Sequence, residues 1–316
     1  PENFMPKKNQ NRPSHLKLVP FDKVEDLIEE EEVAKPKEPS QEADTKEPNR
    51  NESVEPKITE EDQEAAKLWV KRLRGLQEPS TRINRLYLGF KEKPEEMSIL
   101  FGYLVTRLDN SVCKTVYLDY IRLLSGIRAL HYSIRQELYL QARARRLPLL
   151  RVLALQSQTE TASDEPHPSL IADFASLDPE LHEVSLGRRK AMARTANMDL
   201  VQRLSRDPDP RVIRILLDHP KLTEKEMIKT ASRRPASSLA LAEVIHHSRW
   251  GARPAAQEAI ALNPNSPPGL AAGLLPLLPK HIRRQLREGL NAHPLVLAIS
   301  LALDGDDSKL NTLFGI

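Results

Sequence analysis

The chain contains 316 residues, of which 40% are hydrophobic and 29% are charged, with 25 prolines, 11 glycines and a formal net charge of +3. The low glycine content argues against a hairpin-rich β protein, because such proteins need glycine at turns with positive φ. The one cysteine, Cys113, excludes an intramolecular disulfide and a cysteine-based zinc site, and we expect it to be a small core residue.

Acidic and basic residues are unevenly distributed along the chain. Residues 1–63 contain 17 acidic and 10 basic side chains, and the rest of the chain contains 27 acidic and 37 basic ones. An acidic start on a basic body predicts either contact between the two parts or a protein partner with an acidic surface. No apolar run approaches the roughly 20 residues of a membrane span, and the chain does not open with a signal-peptide pattern. Together with the lone cysteine, these features favour a cytoplasmic protein.

Residues 1–58 are rich in proline, glutamate, lysine and asparagine and poor in aromatic residues, which predicts a disordered acidic tail. One apolar segment, residues 16–28, interrupts this tail and is followed by four consecutive glutamates. Its last four apolar residues have helical spacing, so we interpret the segment as a docking motif that folds in a partner's groove. The alternative is a local hydrophobic cluster without a binding role. The residues of the predicted docking motif are Phe21, Val24, Leu27 and Ile28.

The helical domain predicted over residues 59–155 begins with a capping pattern, in which Thr59 is followed by Asp62. We expect the first helix to end before Pro79, because the residue that precedes a proline avoids the α region. Four apolar residues of this helix are predicted to share its buried face: Leu68, Trp69, Leu73 and Leu76.

Apolar periodicity continues through the rest of this domain. Pro94 suits the first turn of the next helix, and the polar residues 109–111 are candidates for capping the one that follows. That following segment either runs unbroken to Arg146 or bends at Gly126, and it carries His131 on its apolar face. A short apolar helix opened by a proline is predicted to close the domain.

Residues 156–168 combine turn-forming residues with no periodic apolar face, which predicts a linker. Residues 169–303 then alternate apolar helical stretches with prolines, and residues 304–316 are predicted to be a tail. Because proline cannot continue a helix, this regular punctuation predicts short helices joined by sharp turns. Two pairs of prolines are 44 residues apart, within the range of helical repeats: Pro210 with Pro254, and Pro220 with Pro264.

The stretches RVIRILLDHPKLTEKEM and AAQEAIALNPNSPPGL in this region resemble HEAT/armadillo-type helical repeats. The phrase NPNSPPGL is also similar to bacterial leucine-rich-repeat-variant proteins, in which an Asn-Pro pair precedes each short helix. The resemblance implies an all-α protein with a short HEAT-like α-solenoid, preceded here by the helical domain and the acidic tail. It also implies that the repeats form a docking surface and contribute no catalytic residues.

The sequence contains neither a phosphate-binding glycine loop nor a nucleophile elbow. The adjacent His246 and His247 would diverge by about 100° on a helix, so they cannot share one metal ion. His219 and His293 precede prolines at predicted helix ends, where we expect them to cap the last carbonyls. We therefore predict a non-enzymatic interaction scaffold or adaptor without catalytic residues, cofactor or metal.

The candidate contact residues lie in the repeats, where residues 184–234 contain 13 basic and 6 acidic side chains. Such a surface suits an acidic protein partner, and the alternative is a nucleic-acid-binding surface that contacts phosphates. Aromatic residues on which bases could stack are almost absent from this segment, so the protein partner is favoured. Trp250 lies in a predicted turn, where it either packs or contacts a partner. The predicted partner-binding residues are Arg188, Arg189, Arg211, Arg214 and Trp250.

Overall fold

The structure, a computed structural model, describes residues 59–126, 130–155, 178–195, 197–289, 292–306, 308–309 and 312. These residues form fifteen α-helices and two short 3₁₀ segments, and no strand occurs among them. The predicted all-α class is therefore confirmed for this part of the chain. None of its helices is long and apolar enough to cross a membrane. The predicted docking motif (Phe21, Val24, Leu27 and Ile28), the rest of the acidic tail and the linker lie outside the described residues.

Six helices form a front block within residues 59–155. Its first helix starts where the sequence predicts, because the Thr59 hydroxyl accepts the N–H of Asp62 and the Asp62 carboxylate accepts the N–H of Thr59. This reciprocal pairing satisfies two backbone donors that a helix start leaves open. The helices are α1 (Glu60–Arg74), α2 (Pro79–Glu92), α3 (Pro94–Val105), α4 (Ser111–Ser125), α5 (Tyr132–Ala144) and α6 (Pro148–Leu155).

Three predictions for the front block are wrong. Pro79 follows α1, but it also begins the unpredicted α2, because the first turn of a helix does not need the N–H that proline lacks. The long periodic segment neither continues nor bends, since α4 stops at Gly126, whose backbone is extended. His131 is instead the exposed cap of α5, where its Nδ1 accepts the N–H of Ser133. Leu68, predicted to be buried, is 47% exposed.

Four aromatic rings form the centre of the front block. Tyr120 lies between Phe90 and Phe101, with ring centroids 4.8 Å and 5.1 Å away, and Phe101 also contacts Tyr117 at 5.8 Å. All four rings are buried. Tilted and edge-on contacts of this kind stabilise a core beyond the apolar area that they bury. Cys113 is buried beside them as the sequence predicts, and burial raises the pKa of its thiol.

Nine shorter helices form the array, which spans residues 186–302. Four of them begin at a proline, so these prolines lie inside the first turn rather than outside the helices as the sequence analysis predicts. The helices are α7 (Leu186–Thr195), α8 (Met198–Leu204), α9 (Pro210–Leu217), α10 (Glu224–Ala231), α11 (Ser238–His246), α12 (Pro254–Ala261), α13 (Pro268–Leu274), α14 (Lys280–Glu288) and α15 (Pro294–Ala302).

The turns of the array use side-chain acceptors placed just before proline. In each X-Pro-Z sequence of this kind, the side chain of X accepts the N–H of Z, which fixes the chain direction after the proline. His219 and His293 act in this way through Nδ1, accepting from residues 221 and 295 at 3.3 Å and 3.2 Å. They do not cap the preceding carbonyls, so that prediction is wrong. The residues at X are Asp178, Asp207, Asp209, His219, Asn263 and His293.

The helices of the array pack in two rows. In one row α7 packs against α9 and α9 against α11, and in the other α10 packs against α12. Helices α7, α9, α11, α13 and α15 begin at intervals of 24, 28, 30 and 26 residues. The 44-residue proline spacing instead relates α9 in one row to α12 in the other. It is therefore not the interval between successive helix pairs.

Helix α4 joins the front block to the array. It packs against α1, α2 and α3 on one side and against α11 and α13 on the other, while α6 contacts α13 and α15. The Tyr117 hydroxyl donates to the Gly273 carbonyl at 2.7 Å. The Arg122 guanidinium donates to the carbonyls of Ile245 and His247 at 2.8 Å and 3.1 Å. The buried apolar side chains of both parts form one continuous core.

Candidate interaction surface

The exposed side of α9 carries two of the predicted contact residues. The helix begins at Pro210 because Asp209 before it accepts the N–H of Arg211. Its apolar residues are buried, which leaves Arg211 and Arg214 on the opposite side with 59% and 56% of their side chains exposed. The structure therefore places both arginines at the surface, one turn apart.

Each of these arginines already pairs with a carboxylate in a forked arrangement. Arg211 donates through Nε and Nη2 to Asp209 at 3.0 Å and 2.7 Å, and this hydrogen bonding lowers the pKa of Asp209. Arg214 donates through the same atoms to the buried Glu243 of α11 at 2.9 Å and 2.6 Å, which ties α9 to its neighbour. Both guanidinium groups keep their Nη1 side unused in these pairs, so each retains donors for a further carboxylate.

The two adjacent arginines of α7 have different environments. Arg189 turns inward, donating to the buried Asp207 at 2.7 Å and to the Val184 carbonyl at 2.8 Å, with 11% of its side chain exposed. It is therefore corrected from a contact residue to a structural one. Arg188 is exposed, and among the described residues its side chain has neither a hydrogen bond nor an ion pair. Neighbouring helical residues point about 100° apart, which accounts for the difference.

Trp250 packs inside the array. It is 1% exposed, and its indole N–H donates to the Leu217 carbonyl at 2.8 Å, which satisfies the last turn of α9. The guanidinium of Arg249 covers its ring at 4.1 Å. Because the ring is covered, Trp250 is corrected from a partner-binding residue to a packing residue, the other role that the sequence left open.

The basic segment 184–234 carries less free charge than its composition suggests. Arg203 pairs with Asp178 at 3.0 Å and also with Glu180, in addition to the pairs of Arg189, Arg211 and Arg214. Burial, reinforced by the charge of Arg206, lowers the pKa of Arg233 to about 10. Internal carboxylates therefore neutralise part of the surface that would otherwise attract phosphates.

One serine and one histidine meet at the junction between α4 and α11. The Ser125 hydroxyl oxygen lies 3.2 Å from His246 Nε2, but the hydroxyl donates to the Ile121 carbonyl at 2.7 Å. The imidazole must then donate to the serine, so it is not placed to take the serine's proton. Loss of hydration is the main cause that lowers the pKa of His246 to about 4. Within the described residues, no group of three or more His, Cys, Asp or Glu side chains could hold a metal ion.

A cleft of about 280 Å³ lies between α12, α13, α14 and α15. Its walls are largely apolar, and its polar side chains are used within the fold. Asn263 donates to the carbonyls of Ala231 and Arg233 at 2.8 Å, and Ser266 donates to the Ile260 carbonyl at 2.6 Å. The arrangement therefore anchors turns.

The sequence analysis missed the buried polar residues that organise these surfaces. Glu243 has a detectable signal, because it is a lone carboxylate in the apolar helix SLALAEVIH. Asp119 and Arg122 have no such signal, because their partners lie on different helices. In comparisons with known proteins, no family model, no curated protein and no solved structure matches the chain at a significant level.

Proposed function

We propose that the protein is a non-enzymatic interaction scaffold whose array is a short HEAT-like solenoid. The observation that carries the proposal is the exposed side of α9, where Arg211 and Arg214 keep donors unused, next to α7 with the exposed Arg188. The internal pairs hold the α9 guanidinium groups in place before a partner arrives, which lowers the entropy cost of binding. A protein partner with an acidic surface suits these donors. A free cysteine, buried as Cys113, supports a cytoplasmic location.

The surface is tested by comparing two charge reversals in the full chain. One variant carries Arg188→Glu with Arg211→Glu, and the matched control carries Lys225→Glu with Lys229→Glu on the exposed side of α10, in the other row. Proteins that co-purify from native cells are quantified for each. We expect a partner that the wild type and the control retain and the α7–α9 variant loses. Identical recovery by all three proteins would rule out this surface.

The alternative function is nucleic-acid binding through residues 184–234. It is supported by the basic composition of this segment and opposed by the carboxylate pairs of Arg189, Arg203, Arg211 and Arg214. Fluorescence anisotropy with a random DNA duplex tests it between about 50 and 200 mM salt. Binding that falls steeply with salt and that both charge-reversal pairs weaken would favour nucleic acid over a protein partner.

A further inference from the structure

A second surface, remote in sequence from α7 and α9, surrounds Trp69 on α1. The ring is 4% exposed because guanidinium groups cover it: Arg72 Cζ lies 6.0 Å and Arg85 Cζ 5.5 Å from its centroid. The indole N–H donates to Glu96 at 2.7 Å. Burial raises the pKa of Glu96, but bonds from Lys93 and Trp69 outweigh this effect and lower it. The carboxylate is therefore held as an ionised acceptor beneath the indole.

The sequence brings α2 close enough to complete this stack. Gly89 faces Trp69, and a Cβ atom at position 89 would lie 3.2 Å from Trp69 Cη2 and 2.8 Å from Met97 Sδ. A larger residue would push α2, and Arg85 with it, away from the ring. The close approach places Arg85 of α2 over a ring of α1, so two helices contribute cations to one aromatic group.

Exposed leucines flank the stack on both helices. Leu68 precedes Arg72 by one turn and is 47% exposed, and Leu88 follows Arg85 by one turn and is 41% exposed. Large apolar side chains exposed beside arginine and tryptophan are typical of the centre of a protein interface. We call these five residues, Leu68, Trp69, Arg72, Arg85 and Leu88, the Trp69 platform.

We propose that the Trp69 platform binds an acidic amphipathic helix of a partner protein. Stacking uses only the faces of the guanidinium groups, so their N–H edges remain for carboxylates, while Leu68 and Leu88 receive apolar side chains. The positive charge of Lys71 and Arg74 at the same end of α1 complements an acidic helix. Bases cannot stack on Trp69 because its ring is covered, which disfavours a nucleic acid.

Photo-crosslinking in native cells tests the occupant. A photo-crosslinking amino acid replaces Leu68 or Leu88 in the full chain, and the matched control replaces Leu140 on α5, which is 49% exposed. We expect both platform positions, but not position 140, to crosslink to one acidic amphipathic helix mapped by mass spectrometry. A crosslink to a second copy, a lipid or a nucleic acid, or no crosslink above the control, would overturn the proposal.

A peptide of the mapped helix then measures the role of the arginines. Arg72→Gln with Arg85→Gln should weaken peptide binding at least tenfold by fluorescence anisotropy. Lys91→Gln with Arg284→Gln makes the same charge change outside the platform and should leave the affinity unchanged. Thermal unfolding of each variant checks that the fold is retained. Equal affinity of the two double variants would contradict the platform, without bearing on the α7–α9 surface.

Discussion

Helices α4 and α9 belong to the two halves of the molecule and differ in how they are surrounded. Ten residues of α4 are buried, and the helix packs against partners in both the front block and the array. Four residues of α9 are buried, and it packs mainly against its neighbours α7, α8 and α11. Both helices carry arginines, but those of α9 remain at the surface, whereas Arg122 of α4 is buried.

The difference separates a helix that holds the fold together from one that presents a surface. In a stack of helix pairs, each pair depends mostly on its neighbours, so the effect of a lost contact stays local. A helix surrounded on all sides transmits such a loss to everything it touches. We therefore expect substitutions in α4 to weaken the whole described fold and substitutions in the array to weaken its nearest helices.

The largest effect is expected for Arg122→Met. The change leaves the buried Asp119 with Arg82 alone, and it removes the donor to the carbonyls of Ile245 and His247. Breaking a buried ion pair on one side costs about 3–5 kcal/mol, so the free energy of unfolding should fall by that amount. Urea unfolding measures it.

The matched control for this change is Arg284→Met. Arg284 is 75% exposed and pairs only with Glu288, one turn later on α14. Exposed pairs of this kind contribute little, so the unfolding midpoint should not move beyond experimental error. If the two variants lost the same stability, α4 would have no special position in the fold.

A smaller and more local effect is expected for Asn263→Ala. Its side chain donates to the carbonyls of Ala231 and Arg233 after α10 and accepts the N–H of Asn265. Leaving buried backbone groups without partners should lower the free energy of unfolding by about 1–3 kcal/mol. Hydrogen exchange should speed up in α10 and α12 but not in the front block. Asn265→Ala is the control, and faster exchange throughout the molecule would contradict the local character of the array.

Acid tests the junction itself through His246. Its pKa falls from the ordinary 6.5 to about 4, because burial disfavours the charged ring and the charges of Arg122 and Arg214 add to this, against the opposing charge of Glu243. The unfolded chain therefore binds a proton between these values that the folded chain does not. Stability from this group is complete above pH 6.5 and is lost as the pH falls toward 4.

We expect this loss to reach about 1–2 kcal/mol near pH 4.5, and His246→Gln should remove it. The measurement is the free energy of unfolding from pH 7 to 4.5 for both proteins. A glutamine amide can still donate to Ser125, so the comparison isolates the proton. Parallel pH curves for the two proteins would mean that His246 does not titrate as the junction geometry requires.

Local chemistry was the part of this fold that could be predicted from the sequence. The Thr59 cap, the helix at Pro94 and the apolar face of α3 depend on neighbours within one or two turns, and the structure matches them. Proline was harder to interpret, because the same residue ends one helix and begins another. That ambiguity concealed α2 at Pro79 and made a 44-residue spacing resemble a repeat interval.

The environment of each arginine could not be predicted. Arg188 and Arg189 are identical neighbours, yet one is exposed and the other pairs with Asp207, which lies 18 residues further along the chain. Composition counts both as surface charge. Only the packing of α7 against the turn before α9 shows which of them faces inward, because a rotation of about 100° separates adjacent residues on a helix.

The smallest effect separates the two arginines of α9. Arg214→Met leaves the carboxylate of Glu243, a buried residue, without its partner, so the free energy of unfolding should fall by about 1 kcal/mol, a modest loss because solvent screens the exposed guanidinium. Arg211→Met removes a partner of Asp209 within the same turn, and the unfolding midpoint should not change measurably. Urea unfolding of both variants decides between a neighbour contact and spare surface. An equal shift for Arg211→Met would mean that α9 needs its exposed side for stability, and the distinction between α4 and α9 would fail there.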